Sequence, residues 1–287
     1  GDFVDDGANE DYWPWALDDA ANVAQGLAMM PAAGNHEARS DVAGITDANP
    51  IVSHFNLSGV NVPEQDQASG VYYSFVYKNA TVVVLNTNDL EGNALSQAQY
   101  SWADEVLKGA GTTWKIVLLH KSPYSNGPHH DDADVIGIRR QLDQLAADCG
   151  IDLVLSGHDH VYNRTVTLSR GNEQEVSSKT EAYNGKNYEV QQSPNGTTFV
   201  TAGTAGVKNY EQAVAPEAHS AVTLDLDVPV FTGLQVDGDH LYYDAYKVEG
   251  GSVQRVDSFA IAKDGAEQQA WEKVNDLIAA LPEQSRV

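Results

Sequence analysis

Between Trp13 and Met29 (WPWALDDAANVAQGLAM) apolar residues recur every three or four positions, which predicts an amphipathic helix with Pro14 in its first turn. The period then shortens. Residues 71–77 (VYYSFVY) and 81–87 (TVVVLNT) flank Lys78-Asn79-Ala80 and predict two strands joined by a tight hairpin. SQAQYSWADEVLKGAG, residues 96–111, has a Ser cap, helical spacing and closing glycines, so a helix is predicted there. WKIVLLH (114–120) is an almost continuous apolar run of strand length, as expected of a strand covered on both faces. A capped helix follows over 132–150, then a second buried strand in IDLVLSGHDH, 151–160.

Buried strand, polar loop and helix in alternation predict a layered α/β domain, with ligands at the loops that leave the carboxyl ends of the strands. Residues 165–196 are polar and read as a long surface loop or an exposed hairpin, and FVTAGTAG (199–206) returns as a strand and small-residue loop. Three β-rich runs between 219 and 262 predict antiparallel strands, with Asp237-Gly238 at a turn. The tail is amphipathic through Trp271, Val274, Ile278 and Leu281 and ends at Pro282. This divides the chain into a domain over 1–263 and a C-terminal helix over 264–287 that packs on it or leads to a further module.

Composition narrows the function classes. The 287 residues carry a formal charge of −24, which argues against binding nucleic acid or an anionic membrane. An anionic substrate would need local positive charge, which bound metal ions can supply. Cys149 is the sole cysteine, so no intrachain disulfide forms. No apolar run reaches the ~18 residues of a membrane span.

Four segments put Asp, Asn or His directly after a strand or at a glycine turn: Gly1-Asp2 in GDFVDD, GNHE (34–37), VLLH (117–120) and GHDH (157–160). Six of the nine histidines, at 36, 120, 129, 130, 158 and 160, lie in or just after them. Imidazole suits Zn, Fe and Mn, and a carboxylate can bridge two ions. Each segment alone is an ordinary turn; the four together point to a metal site.

The series GD…GNHE…H…GHDH resembles the calcineurin-like metallophosphoesterase superfamily, and HKSPYSNGPHH with GHDHVYNR is most similar to its purple acid phosphatase branch and bacterial relatives. The resemblance implies a four-layer α/β/β/α sandwich and a dinuclear metal site, N-terminally truncated here because the first motif would lie upstream of Gly1. It implies Asp2 as bridging carboxylate, Asn35, His120 and His158 as ligands of one metal, and His160 as a ligand of the other. It also implies that His36 faces the substrate phosphate and that His129 and His130 contact the phosphate or protonate the leaving group.

The expected cofactors are two divalent or trivalent ions (Fe, Zn or Mn) in the complete protein, with one full ligand set in this chain. Asp5 stands where the purple enzymes have a tyrosine ligand, and Asp6 where a related branch has a phosphate-binding arginine, so neither role carries over. The expected activity is phosphomonoester hydrolysis by a metal-bound hydroxide, without a phosphoenzyme. The alternatives are a phosphodiesterase or nucleotidase of the same fold, or a surface or binding module that has lost catalysis. The expected partner is a small phosphate ester, with no nucleic acid, no membrane span and an open oligomeric state. An exported or cell-surface bacterial protein is the expected setting, with a cytoplasmic one as alternative.

Overall fold

Helix α1 (Tyr12–Ala24) covers the first amphipathic stretch but ends five residues before Met29, and Gly26 just beyond it adopts φ 92°. The computed structural model describes residues 1–24, 26–38, 49–57, 59–63, 72–215 and 219–263. A short helix, α2 (Asn49–His54), follows. The predicted hairpin is β1 (Tyr73–Tyr77) and β2 (Ala80–Val84), paired Tyr77↔Ala80 through a turn in which Lys78 takes φ 53°. A small ribbon, β3 (Leu90–Glu91) and β4 (Ala94–Leu95), leads into α3 (Gln97–Gly109). Ser96 caps that helix by accepting the Gln99 N–H at 3.3 Å.

The chain then runs through β5 (Trp114–Lys121), α4 (Ala133–Cys149), β6 (Leu153–Gly157) and β7 (Tyr162–Thr165). Gly150 closes α4 at φ 66°, a left-handed cap that a side chain would strain. After the ribbon β8 (Leu168–Ser169) and β9 (Asn172–Glu173) come β10 (Ser178–Tyr183), β11 (Lys186–Gln192) and β12 (Thr198–Ala202). The last strands are β13 (Ser220–Leu224), β14 (Val230–Asp237), β15 (His240–Glu249) and β16 (Ser252–Ala262).

Two sheets result, ordered β1-β2-β5-β6-β12-β7-β13 and β10-β11-β16-β15-β14. Strand alternation explains how they stack. Val83, Leu85, Val117 and Leu119 point to one face of the larger sheet and pack with Leu107 of α3 and Ile138, Leu142 and Leu145 of α4. Val82, Val84, Ile116 and Leu153 point to the other and pack with Leu241, Tyr243, Phe259 and Ile261 of the smaller sheet. Among the described residues, helices, sheet and sheet stack in the order α, β, β of the expected α/β/β/α sandwich. The outer face of the smaller sheet carries Tyr188, Val190, Tyr242 and Ala260, all buried. The expected tail helix, 264–287, lies outside the described residues.

One expectation needs correcting. The polar stretch 165–196 is not merely a surface excursion: it does contain a hairpin, but β11 joins the smaller sheet in parallel with β16, pairing Val190↔Ala260 and burying Val190 completely. Its partner lies some seventy residues away, beyond any local pattern. The central strands β5 and β6 run parallel, and their carboxyl ends deliver His120 and, one residue past β6, His158 to one rim.

Candidate metal centre

Four of the expected ligands meet. His120 Nε2 lies 3.0 Å from Asn35 Oδ1, 3.2 Å from His158 Nδ1 and 3.1 Å from Asp2 Oδ2. A neutral imidazole nitrogen carries at most one proton, while Asn Oδ1 and an ionised carboxylate only accept. One N–H cannot satisfy three neighbours. The excess of lone pairs converging on one point fits a cation, and imidazole, amide oxygen and carboxylate together suit Zn, Mn or Fe.

The electrostatics agree. Burial disfavours the charged form of both histidines, so His120 titrates below the ordinary histidine range and His158 is pushed down to about 3 by burial and by the neighbouring His120, His129 and Lys121. Burial alone would raise the Asp2 carboxyl. Hydrogen bonding and charge from His120, together with the His36 N–H, outweigh it and hold Asp2 well below the usual carboxylate range. Neutral imidazoles beside an ionised carboxylate are the protonation states that ligation requires.

The backbone around these side chains is held in place. Asp2 (φ 55°) and His158 (φ 67°) are both non-glycine residues in the left-handed region, a conformation that persists only where surrounding structure fixes it. For Asp2 that structure is Glu37, fully buried, whose carboxylate accepts the N–H groups of Asp2 (2.8 Å), Phe3 (2.5 Å), Val4 (3.2 Å) and Gly34 (2.7 Å). Asn88 Nδ2 donates to the Gly34 carbonyl at 3.0 Å from the other side. A Cβ on Gly34 would sit 2.2 Å from Asp2 Oδ1, so the GNHE turn and the GD loop can approach only without one.

His36 contributes twice: its backbone N–H donates to Asp2 Oδ1 at 3.0 Å, and its ring Nδ1 donates to the Asp5 carbonyl at 2.6 Å. Its Nε2 stands 3.9 Å from Asp2 Oδ2. His160 does not join the four. Its Nδ1 donates to the Lys208 carbonyl at 2.5 Å and its ring stacks on Tyr210, centroids 4.4 Å apart at 6°. That bond fixes the tautomer with the lone pair on Nε2, the arrangement found where the other nitrogen binds metal.

His129 lies over His158, ring centroids 4.4 Å apart, and pairs through Nδ1 with Asp132 at 2.9 Å. His130 turns its Nδ1 to the Gly127 carbonyl at 2.9 Å. Glu37, Asn88, Asp132 and Asp159 are not marked by the sequence as residues of the site. Asp159 is almost wholly buried and accepts the His129 N–H at 3.1 Å; a Cβ on Gly127 would come within 2.5 Å of its Cγ. Glu37 and Asp159 stand inside the GNHE and GHDH motifs, where acids with no ligand role could be read as braces.

Residues 1–162 match the family model described as Calcineurin-like phosphoesterase. Purple acid phosphatase 18 of Arabidopsis thaliana is 30% identical over 170 residues, 56% of this chain and 37% of that protein. Fe(3+)-Zn(2+) purple acid phosphatase 12 of the same plant is 28% identical over 51% of this chain and 32% of its own length. The chain spans about a third of the length of the curated relatives it matches. In structure it is similar to the purple acid phosphatase PPD1 of yellow lupin (Lupinus luteus) seeds, with TM-score 0.64, 22% identity, 82% of this chain and 40% of that one covered.

Proposed function

Because the chain belongs to the calcineurin-like phosphoesterase family, we propose that it is a metal-dependent phosphatase acting on phosphomonoesters at the Asp2–Asn35–His120–His158 cluster. The observation that carries this reading is the convergence of those side chains on His120 Nε2 at 3.0–3.2 Å. The purple acid phosphatase relatives support the substrate class. Bound there, a divalent or trivalent ion would polarise a phosphoryl oxygen and lower the pKa of water near it.

The chain's own groups supply the rest. Asp2, Asn35, His120 and His158 would hold the ion, and Asp2 and the lone pair of His160 would be available to a second. Glu37 fixes the loop that carries Asp2. His36 holds Nε2 beside Asp2, where in its imidazolium form it can donate to a phosphate oxygen, and His129 or His130 gives a proton to the departing oxygen. No side-chain nucleophile is required. Fe, Zn and Mn all suit this donor set, and a relative named as Fe(3+)-Zn(2+) supports a mixed pair. The setting we favour for so acidic a chain is exported or cell-surface in a bacterium, with a small phosphate ester as partner. No described helix is long and apolar enough to cross a membrane. The test is hydrolysis of p-nitrophenyl phosphate by the chelated protein before and after each metal is returned, with the bis-ester as control for diester activity.

A further inference from the structure

Asp132 occupies the N-cap of α4, with φ −57° and ψ 140°, yet its side chain makes no capping hydrogen bond. An aspartate there ordinarily accepts an N–H of the first helical turn. Instead its Oδ2 lies 2.9 Å from His129 Nδ1. The nearby first-turn bond is made by Asp134, whose Oδ1 takes the Val135 N–H at 2.8 Å. A residue that abandons a local structural role for a specific side-chain contact is the pattern expected where function overrides local preference.

The chemistry of the pair assigns the proton. An ionised carboxylate only accepts, so Nδ1 of His129 is the donor and carries the hydrogen. Ring geometry then turns Nε2 away from Asp132, in a ring lying 4.4 Å from the His158 ring and 6.1 Å from that of Tyr210. A second restraint acts on the same residue: the His129 backbone N–H is held by buried Asp159.

We propose that Asp132 is a positioning residue that locks His129 in the Nδ1–H tautomer and directs its Nε2 to the leaving-group side of the site. This rests on the phosphatase reading and refines it by choosing His129 over His130 as proton donor. His130 spends its Nδ1 on the Gly127 carbonyl, and the carboxylate nearest that nitrogen, Asp131, stands 3.9 Å away. In the step, protonated His129 transfers its Nε2 proton to the leaving oxygen as the phosphorus–oxygen bond breaks. The neutral ring that remains is the Nδ1–H tautomer already bonded to Asp132, so no proton needs to relocate.

Long-range ¹⁵N–¹H correlation spectra of the histidine-labelled chain read the tautomer without any turnover. The wild type is expected to show His129 as Nδ1–H when neutral, Asp132→Asn to retain it through its amide oxygen, and Asp132→Ala to lose it. The Tm of Asp132→Ala is expected to stay near wild type, because the side chain caps nothing. With alkyl phosphates, kcat of Asp132→Ala is expected to fall about 10–100-fold at nearly constant KM, and less with p-nitrophenyl phosphate, whose leaving group needs no proton. An unchanged Nδ1–H tautomer in Asp132→Ala overturns the proposal, as does loss of the His129 Nδ1 proton when Zn²⁺ is added, which would make His129, Asp132 and His158 a metal site. If the tautomer responds as expected but no metal restores hydrolysis in the wild type, the positioning contact stands and the phosphatase reading falls.

Discussion

His120 Nε2 and His158 Nδ1 face each other across 3.2 Å in a setting where burial disfavours the charged form of both rings. Two neutral imidazoles at that distance share at most one proton, and Asp2 and Asn35 add only acceptors. Ions entering such a site find their ligands already deprotonated. At pH 6 an ordinary histidine, with pKa ≈ 6.5, would surrender about 0.75 proton on ligation, and two would surrender about 1.5. Calorimetric titration with Zn²⁺ in buffers of different ionisation enthalpy should therefore find well under one proton released per ion. Release of more than one would show that the histidines are charged in the free protein.

Glu37 should matter out of proportion to its distance from any reaction. It is the acceptor for four backbone N–H groups, three of them consecutive, on Asp2 with its left-handed backbone and on Phe3 and Val4. Glu37→Ala strands those donors, at a cost of about 1–3 kcal/mol for each that remains buried, so a total loss of about 3 kcal/mol in urea unfolding is expected. Zn²⁺ affinity should fall with it, since Asp2 loses its anchor.

Asp244 gives the fold an acid-sensitive clamp on the smaller sheet. Burial pushes its carboxyl up, but the hydrogen bonds from Lys186, Tyr188 and Tyr246 and the charge of Arg255 outweigh that and leave it lower than in the unfolded chain. A group depressed on folding stabilises above its unfolded pKa, about 3.9, and loses that contribution as pH falls through the folded value. Asp244→Asn should lower Tm at pH 7, and the gap from wild type should close below about pH 4. A gap that is constant with pH would place the effect in packing instead.

Cys149 is expected to be inert. Its thiol is pushed up to about 11 by burial and by the Asp104 carboxylate 3.5 Å from Sγ. At pH 8 the thiolate fraction is small, so iodoacetamide should label the folded chain far more slowly than the urea-unfolded one. Equal rates would contradict the buried placement at the end of α4.

Much of the layered fold is legible in the sequence where local signals and burial agree. Ser96, the α3 periodicity and the apolar run of β5 each say the same thing at two levels. The hairpin β10–β11 reads as exposed because only Tyr188 and Val190 mark its buried face, and its partner β16 comes from far along the chain. In the candidate site, glycine turns and strand ends point to Asp2, Asn35, His120 and His158, whose side chains converge. The contacts of His160 could not be read, because Lys208 and Tyr210 lie in a segment without period. Asp132 misleads in an informative way: its position says cap, and its side chain serves His129.

The most direct measurement is the rate of p-nitrophenyl phosphate hydrolysis by the chelated chain as Zn²⁺, Mn²⁺ or Fe is restored, set beside Asn35→Ala and His158→Ala under the same conditions. The account predicts no hydrolysis without metal, recovery with at least one of the three, and a loss of at least about 100-fold in either variant. Equal rates with and without chelator, or full activity in both variants, would contradict it.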